Sequence, residues 1–546
     1  MLTSELINSL FDAELPEPAH WESYYPARNH PPGALVTRFA PSPTGFLHTG
    51  GVYAATVAKN LAHHSGGAYF IRIEDTDQAR VIPGSLAQFE RAFEYFDIQS
   101  DETDSTSKWG PYEQSKREKL YHTYARDLLQ RGHAYLCFCS RDDLARMNEE
   151  QVASKVPTGY YGEWALCRNL SEAEVTRRLE SGTPYTIRFR APEGPPKRVE
   201  FLDVIRGPIE QQDNVNDIVL LKSSDQAPRL PTYHFAHAVD DHLMRVTLVL
   251  RGEEWISSVP VHLQLFKALN FEMIPYAHIA PLMKFEGSSR RKLSKRKDNE
   301  ADVEFYMKSG YPARAVLHYL RGLANSKFAE MTFEESATSA LKLNEFGVAG
   351  PIFDLVKLES ISREFIAQLS IDETLKELLE WATVYDPDLA GLLTAHPSLT
   401  RRIIANEKTP GVMQRKDLGK WSDFREAYGL YFPELFSLVT DPADSRFEPV
   451  EANMVRKLAR AFADSYQHLD DKEAWFEQIR NLANSNGFAP SASQFKKDPD
   501  RFAGSISHVS NVIRIALTGL TKSPELFLVA QNIGEQEVLR RVRALI

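Results

Sequence analysis

Two short segments far apart in the chain contain residues suited to phosphate chemistry. The first is the loop Arg38-Phe-Ala-Pro-Ser-Pro-Thr-Gly-Phe-Leu-His-Thr-Gly-Gly51. Its glycines let the backbone approach a ligand closely, and the N-terminus of a following helix attracts an anion. His48 could donate a hydrogen bond to phosphate oxygens as negative charge develops on them. Taken alone, a histidine before Gly50 and Gly51 more often marks an ordinary strand-to-helix turn.

The second segment is Lys292-Leu-Ser-Lys-Arg296, within a stretch where six of the eight residues from 290 to 297 are basic. A mobile pair of lysines can neutralise the charge of a triphosphate and of the pyrophosphate that leaves it. Charge runs are usually solvated loops, however, so this segment alone does not predict catalysis.

Together the two segments resemble the HIGH and KMSKS signatures of class I aminoacyl-tRNA synthetases. The flanking sequence is similar to that of bacterial-type glutamyl-tRNA synthetases, whose blocks occur here in the family's order. These blocks are Arg38-Phe-Ala-Pro-Ser-Pro-Thr-Gly45, Arg72-Ile-Glu-Asp-Thr-Asp77, Pro231-Thr-Tyr-His-Phe-Ala236 with Val239-Asp-Asp-His242, Arg251-Gly-Glu-Glu-Trp255, Phe353-Asp-Leu-Val-Lys-Leu358 and Ile515-Ala-Leu-Thr-Gly519. The resemblance covers nearly the whole chain after residue 34.

The resemblance implies the residues of an ATP site and a glutamate site. For ATP they are Gly45, His48, Gly50, Gly51, Glu253 and Lys295, and the catalytic group is His48, Lys292 and Lys295. For glutamate they are Arg38, Ala40, Ser42, Glu74, Tyr233 and Arg251. We expect Arg251 to bind the side-chain carboxylate bidentately, because its planar fork matches two oxygens. Glu74 is expected to orient the ammonium group. A structural ion pair is the alternative for each arginine.

The implied activity is the ATP-dependent ligation of L-glutamate to the 3′-terminal adenosine of tRNA(Glu). The α-carboxylate attacks the α-phosphorus of ATP, which is bound with Mg²⁺, and forms glutamyl-adenylate. A terminal ribose hydroxyl then attacks the activated carbonyl. No covalent enzyme intermediate is needed, so catalysis rests on positioning and charge stabilisation. Whether tRNA(Gln) is a second acceptor stays open, and a monomer is the family's expectation.

Two features depart from the family pattern. His237 stands where the family often has asparagine or an aliphatic residue, which leaves one wall of the amino-acid pocket undefined. Residues 1–33 precede the first predicted strand and have no assigned role.

The cysteines raise the question of a metal. The chain has three, and Cys137-Phe-Cys139 with Cys167 resembles the zinc knuckle of some bacterial members. A structural zinc needs four ligands. The fourth is not settled between Tyr160 and Tyr161, and Asn169 stands where some relatives carry histidine. Three free thiols are an equal alternative, so structural Zn²⁺ is not assigned.

Composition sets broad limits on where the protein works. Three clustered cysteines are not a disulfide framework and favour a reducing cytoplasm. No apolar run of about 18 residues predicts a membrane span. The formal charge is −10, which argues only mildly against nucleic acid, because local patches set the field that phosphates meet. Candidate RNA-facing residues in a basic stretch from 401 to 420 are Arg401, Arg402, Arg415 and Lys416.

The sequence predicts the strands and the helix that position the loop of residues 38–51. Residues 35–39 and 69–73 are short apolar runs that predict buried parallel strands, and residues 51–61 predict a helix between them. This is a βαβ unit of the nucleotide-binding kind. Residues 245–250 predict a further buried strand, followed by a helix capped at Ser258. After about residue 311 helical periodicity dominates.

The predicted fold is α/β: a Rossmann-like class I synthetase catalytic domain with an inserted α+β acceptor-binding domain, followed by all-α anticodon-binding domains. The predicted bounds are 1–33 for the extension, 34–108 and 228–285 for the two halves of the catalytic domain, and 109–227 for the insertion. Residues 286–345 form the signature loop and stem-contact region, and 346–546 the helical anticodon-binding region.

Competing interpretations are weaker. Glutaminyl-tRNA synthetases share the catalytic blocks but have a β-barrel anticodon region, which the helical periodicity disfavours. A truncated paralogue that glutamylates a tRNA base, or a small nucleotidyltransferase, would lack the helical C-terminal part. A non-catalytic RNA-binding protein would be free to lose His48, Lys295 or Arg251, and all three are present.

Overall fold

The computed structural model describes residues 2–194, 197–408 and 416–546. These residues form two compact units. The first unit contains Met1–Tyr306 and Val316–Leu355, and the second contains Met307–Ala315 and Val356–Ile546. The finer domain bounds within these units stay predictions.

The strands of the described residues all belong to the first unit. They are β1 Val36–Phe39, β2 Ala68–Ile71, β3 Ala134–Cys137, β4 Thr186–Phe189, β5 Arg198–Asp203, β6 Gly207–Gln212, β7 Val219–Leu221, β8 Val249–Gly252, β9 Tyr276–Ile279, β10 Met283–Glu286 and β11 Ser289–Lys292.

The helices run through both units. In chain order they are α1 Ser4–Ser9, α2 Pro18–Tyr24, α3 Thr49–His64, α4 Ser85–Tyr95, α5 Glu118–Gln130, α6 Arg141–Ala153, α7 Glu172–Glu180, α8 Tyr233–Leu243, α9 Val259–Leu269, α10 Val303–Ser309, α11 Ala313–Ala324, α12 Phe333–Thr338, α13 Leu355–Gln368, α14 Ile371–Tyr385, α15 Pro387–Ala395, α16 Pro397–Glu407, α17 Phe424–Tyr428, α18 Ala452–Ser465, α19 Lys472–Ser485, α20 Ala492–Lys497, α21 Ile506–Thr518 and α22 Leu526–Arg543.

The predicted βαβ unit is confirmed. β1 and β2 pair in parallel from Val36↔Ala68 to Phe39↔Ile71, and α3 connects them. β8 and β9 also pair in parallel, and β5 lies beside β9. The backbone N–H of Thr247 donates to Val36 O at 3.0 Å and links the β8 segment to β1. The carboxyl ends of β1, β2, β8 and β9 therefore open on one edge, which is where α/β folds bind ligands.

The strand predicted at 245–250 begins later than expected, at Val249. Arg245 has a φ of +57°, so the chain is still turning there after α8 ends. The following helix begins at Val259 with Ser258 as its N-cap, as predicted, and it has Pro260 in its first turn.

Between β2 and β8 the chain forms a separate small sheet. β3 and β4 pair antiparallel, and β7 pairs antiparallel with the other edge of β4. Together with α5, α6 and α7 this agrees with the predicted α+β character of the inserted region.

The residues before β1 are an ordered part of the first unit. α1 and α2 pack on α5, and the side chains of Ile7 and Tyr25 are each only 1% exposed. The Tyr25 hydroxyl donates to Gly110 O at 2.9 Å. We call residues 2–33 the N-terminal segment.

The described residues of the second unit contain helices and turns but no strand. Near the end of the chain α22 packs on α21 and α18, and its Val538 and Val542 side chains are fully buried. The predicted helical character of this region is confirmed.

Candidate active site

A cavity of about 390 Å³ lies at the carboxyl ends of the parallel strands. Its walls come from β1, the start of α3, α8, β8 and the chain that follows β9. The lining residues are Arg38, Phe39, Ala40, His48, Gly50, Gly51, Tyr53, Ala54, Glu74, Tyr233, Leu250, Arg251, Gly252, Glu254, Trp255, Ile279, Ala280, Pro281, Leu282 and Lys292.

His48 is the N-cap of α3, and its ring is fixed by the helix that it starts. Its Nδ1 accepts the backbone N–H of Gly50 at 2.8 Å, so the neutral ring carries its proton on Nε2. Burial, with Lys295 nearby, lowers the pKa of His48. A Cβ at Gly50 would lie 3.1 Å from His48 Nδ1, and one at Gly51 would lie 3.1 Å from the Phe39 ring. A side chain at either position would therefore be tightly packed against its neighbours.

The two basic signature residues lie in different surroundings. Lys292 lines the cavity at the end of β11, and its Nζ lies 3.6 Å from Glu254 Oε1. Lys295 is outside the cavity wall, where its Nζ donates to the carbonyl oxygen of Phe46. Burial lowers the pKa of Lys295. The structure thus brings the second signature against the loop of the first, although some 240 residues separate them.

A buried ion network forms the floor of the cavity. Asp241, on α8, accepts the Nε–H of Arg38 at 3.1 Å and a hydrogen bond from Arg72 Nη1 at 2.5 Å. Arg72 Nη2 also donates to Glu74 Oε1 at 3.1 Å. Burial would raise the pKa of Asp241, but the two guanidinium groups hold it well below its usual range. For Glu74 burial outweighs Arg72 and Arg38 and raises its pKa.

Arg251 differs from the other arginines of the cavity because none of the described residues forms an ion pair with it. Its Nε donates to His278 Nε2 at 3.0 Å, and its Nη1 donates to the Tyr233 hydroxyl at 3.3 Å. The guanidinium carbon lies 4.7 Å from the centre of the Tyr276 ring. Burial raises the pKa of Tyr233 to about 12, so its hydroxyl remains protonated at neutral pH.

Nine of the thirteen predicted site residues line the cavity. They are Arg38, Ala40, His48, Gly50, Gly51, Glu74, Tyr233, Arg251 and Lys292. Ser42, Gly45, Glu253 and Lys295 do not. Ser42 Oγ lies 3.4 Å from Thr44 Oγ1, and Glu253 pairs with Arg206. The neighbour of Glu253, Glu254, lines the cavity instead.

Sequence analysis missed Asp241, Trp255 and the histidines behind Arg251. Asp241 is in the quoted block Val239-Asp-Asp-His242, and that adjacency was the available signal. His237 is fully buried and does not line the cavity. Its Nδ1 lies 3.0 Å from Asp241 Oδ2, and its Nε2 lies 3.0 Å from the Tyr276 hydroxyl.

The three cysteines form a cluster at the end of β3. Their Sγ atoms all lie within 4.8 Å of one another, and those of Cys139 and Cys167 are 3.6 Å apart. The Tyr160 hydroxyl is 3.3 Å from the Sγ atoms of both Cys137 and Cys139. The Tyr161 hydroxyl donates instead to Pro157 O. A tetrahedral zinc with Zn–S bonds of about 2.3 Å places its sulfurs about 3.8 Å apart, so this donor set fits that metal.

The candidate RNA-facing residues lie in the second unit. Arg401 and Arg402 are exposed, and Arg401 pairs with Asp372 at 2.6 Å. Lys416 is exposed and pairs with Glu364. Arg415 lies outside the described residues.

Residues 34–360 match the family described as "tRNA synthetases class I (E and Q), catalytic domain". This is the class of enzyme that the parallel sheet and the paired signature loops define. Residues 500–546 match the family described as "Anticodon binding domain". In the described residues no helix is long and apolar enough to cross a bilayer.

Relatives that match over nearly the whole chain identify the particular family within this class of enzymes. A glutamate–tRNA ligase of Acetivibrio thermocellus is 40% identical, over 96% of this chain and 95% of its own. One from Clostridium perfringens is 38% identical, over 99% and 100%. A crystal structure of a glutamate tRNA ligase from Elizabethkingia meningosepticum, in complex with its amino acid, matches with a TM-score of 0.73 and 28% identity, over 94% and 99% of the two chains. The chain therefore belongs to the glutamate–tRNA ligase family.

Proposed function

We propose that this chain joins L-glutamate to the 3′-terminal adenosine of tRNA(Glu), using ATP with Mg²⁺ and passing through glutamyl-adenylate. The observation that carries the glutamate specificity is the environment of Arg251. It is a buried cation in the cavity wall, 7% exposed, and no described carboxylate lies within 4.0 Å of its nitrogens. An unpaired buried cation is costly unless a ligand supplies the counter-charge.

The other charges of the cavity suit the α-amino acid end of the substrate. Arg38 and Arg72 already share Asp241, whereas Glu74 lines the cavity and has a raised pKa caused by burial. An ammonium group beside Glu74 would favour its ionised form and gain a charge-assisted hydrogen bond. We assign Arg251 to the side-chain carboxylate and Glu74 to the ammonium group.

The signature loops suit the triphosphate. The N-terminus of α3 would donate to phosphate oxygens, and the Nε2–H of His48 would do so in place of its hydrogen bond to the Leu293 backbone. Lys292 and Lys295 would neutralise the departing pyrophosphate. The chain itself contributes positioning and charge, because the α-carboxylate of glutamate is the nucleophile.

The remaining parts of the proposal concern partners and location. The match to an anticodon-binding domain supports tRNA as the acceptor. We propose tRNA(Glu) as the acceptor, with tRNA(Gln) as the candidate to be compared with it. A monomer working in the cytoplasm completes the proposal.

We also propose that the cysteine cluster holds one structural zinc. Cys137, Cys139 and Cys167 supply three thiolates, and Tyr160 is placed to supply the fourth ligand. Such a metal stabilises the fold and takes no part in the reaction.

The test is aminoacylation with labelled glutamate, ATP and Mg²⁺, with purified tRNA(Glu) and tRNA(Gln) in parallel. The wild type should charge tRNA(Glu), and Lys295→Ala should reduce the rate at least roughly 100-fold, as expected for loss of a transition-state charge contact. Lys297→Ala is the matched control, because Lys297 is an exposed residue of the same loop that pairs with Glu286. The ratio of the two charged tRNAs measures discrimination.

No charging of either tRNA by folded protein would contradict the proposal. If the same protein still bound tRNA, the non-catalytic RNA-binding interpretation would take its place. Charging that survives equally in Lys295→Ala and Lys297→Ala would remove Lys295 from the catalytic group.

A further inference from the structure

We propose that Asp203 and His278 form a positioning pair that fixes the guanidinium of Arg251 and leaves its charge available for the substrate carboxylate. This inference rests on the proposed function, because it concerns the residue assigned to the glutamate side chain. Neither Asp203 nor His278 lines the cavity. Both act through Arg251 and are positioning residues.

The proton on His278 is placed by Asp203. Asp203 Oδ1 accepts the backbone N–H groups of Ile205 and Arg206, at 3.0 and 2.9 Å. Oδ2 accepts the backbone N–H of His278 at 3.0 Å and lies 2.7 Å from its Nδ1. A carboxylate surrounded by donors is ionised, and hydrogen bonds from His278 and the backbone overcome burial to lower the pKa of Asp203. His278 must therefore carry its proton on Nδ1.

This tautomer leaves a lone pair on His278 Nε2, which lies 3.0 Å from Arg251 Nε. Arginine only donates, so Nε2 must accept. The contact joins adjacent parallel strands, since Arg251 on β8 and His278 on β9 are register partners and Asp203 ends β5 beside β9. Both the histidine and the aspartate are fully buried.

The Nη2 side of the Arg251 guanidinium is also bound by uncharged acceptors. Arg251 Nη2 donates to Trp255 O at 3.2 Å and lies 3.4 Å from His262 Nδ1. Because Arg251 can only donate, His262 Nδ1 accepts, and the proton of the neutral His262 ring lies on Nε2, 3.0 Å from His234 Nδ1. Four of the five N–H groups of Arg251 thus have acceptors among the described residues. One N–H, on Nη1, is left for a ligand, so in this arrangement Arg251 offers a carboxylate one N–H rather than the two of the bidentate contact expected from the sequence.

A neutral imidazole accepts a hydrogen bond from Arg251 without neutralising the positive charge of its guanidinium. Burial lowers the pKa of His278, lowers that of His262 well below its usual range and lowers that of His234 to about 4. The ionised groups facing His278 are Asp203 on β5, Arg251 on β8 and Arg206 after β5. A carboxylate in place of His278 would form an ion pair with Arg251, as Asp241 does with Arg38 and Arg72, and would compete with the substrate carboxylate for that charge.

The test uses three variants with the full-length protein and tRNA, measuring KM for glutamate, KM for ATP and kcat. Asp203→Asn keeps the shape, but its amide would donate to His278 Nδ1 and move the ring proton to Nε2, against the Arg251 N–H. His278→Leu removes the acceptor, and His278→Gln retains an acceptor near the Nε2 position. We expect Asp203→Asn and His278→Leu to raise KM for glutamate roughly 10- to 100-fold, as for a lost hydrogen bond to a charged group. KM for ATP should change less than about twofold.

Two comparisons separate positioning from general damage. His278→Gln should recover most of the glutamate affinity that His278→Leu loses. His318→Leu removes another buried imidazole, 5% exposed, which packs on Phe333 and does not line the cavity. It should lower stability but leave both KM values unchanged.

Each outcome bears on the inference. Unchanged KM for glutamate in folded Asp203→Asn, or equal rises for glutamate and ATP, would overturn it. His278→Gln behaving like His278→Leu would also overturn it. Should His278→Leu fail to fold, Asp203→Asn and His278→Gln decide the matter. Wild-type protein that charges neither tRNA overturns the proposed function and this inference together, whereas an active wild type with unaffected variants overturns only the inference.

Discussion

Arg38 and Asp241 form a buried ion pair in which Arg38 Nε lies 3.1 Å from both carboxylate oxygens of Asp241. The pair joins β1 to α8, and Arg72, the residue after β2, binds the same carboxylate. One anion therefore sets the relative positions of three elements that line the substrate cavity. Its contribution is structural and functional at once, because Arg38 lies in the cavity wall.

Asp241→Asn should lower both stability and glutamate affinity. Removing this charge leaves the buried Arg38 without an ion-pair partner among the described residues and leaves Arg72 with Glu74 and Asp240, and breaking a buried pair typically costs about 3 kcal/mol or more. We expect urea unfolding to show a loss of that size, together with a higher KM for glutamate. Glu210→Gln is the control, because Glu210 and Arg198 form an exposed pair that should contribute less than about 1 kcal/mol. A stable Asp241→Asn variant would mean that the cavity is organised without this anion.

Tyr25→Ala should show that the N-terminal segment belongs to the folded core. Tyr25 is 1% exposed, its hydroxyl donates to Gly110 O, and the Arg117 guanidinium lies 5.3 Å from the ring centre. Truncating a fully buried aromatic residue costs about 3–5 kcal/mol. Tyr24→Ala is the matched control, because the neighbouring Tyr24 is 56% exposed. Calorimetry should give a large fall in Tm only for Tyr25→Ala, and equal effects would contradict this account.

Glu22→Gln should change stability in a way that depends on pH. His242 and Arg245 outweigh burial and lower the pKa of Glu22 to about 2, from an ordinary value of 4.5. A carboxyl group with a depressed pKa stabilises the fold above its unfolded pKa and loses that contribution as pH falls. Glu22 is partly exposed, so the expected contribution at pH 7 is only about 1 kcal/mol.

The measurement is the difference in unfolding free energy between wild type and Glu22→Gln. It should shrink as pH falls from 4.5 toward 2, because the wild-type carboxyl group becomes protonated over that range. Glu14→Gln is the control, because Glu14 is exposed in the same segment. A difference that persists unchanged at pH 3 would show that Glu22 acts by packing rather than by charge.

The signature loops could be predicted from sequence because the two segments together resemble the motifs of a known family. The contact of His48 with Gly50 is local, since two residues separate them, but this spacing alone also fits an ordinary strand-to-helix turn. The strand at 245–250 was only partly right, because hydrophobicity does not show where a turn ends and pairing begins.

The residues that hold Arg251 in place could not be predicted, because they are far apart in the sequence and meet only in the folded sheet. The contact of Arg251 with His278 and Asp203 requires β5, β8 and β9 to be neighbours in the sheet. A single sequence does not state that order. The same limit applies to Glu253 and Glu254, where adjacent residues of one type face different partners and only the packing around Arg206 separates them.

Removal of metal should test the cysteine cluster. If Cys137, Cys139, Cys167 and Tyr160 bind zinc, purified protein should contain about one zinc per chain by elemental analysis, and Cys139→Ser should contain little. Because metal binding contributes folding free energy, stripping it with a thiol-directed mercurial should lower the Tm of the wild type. Tyr160→Phe should weaken retention of zinc during dialysis against a chelator, whereas Tyr161→Phe should not, since the Tyr161 hydroxyl bonds to Pro157 O. Protein without metal whose three thiols titrate freely would establish the free-thiol alternative.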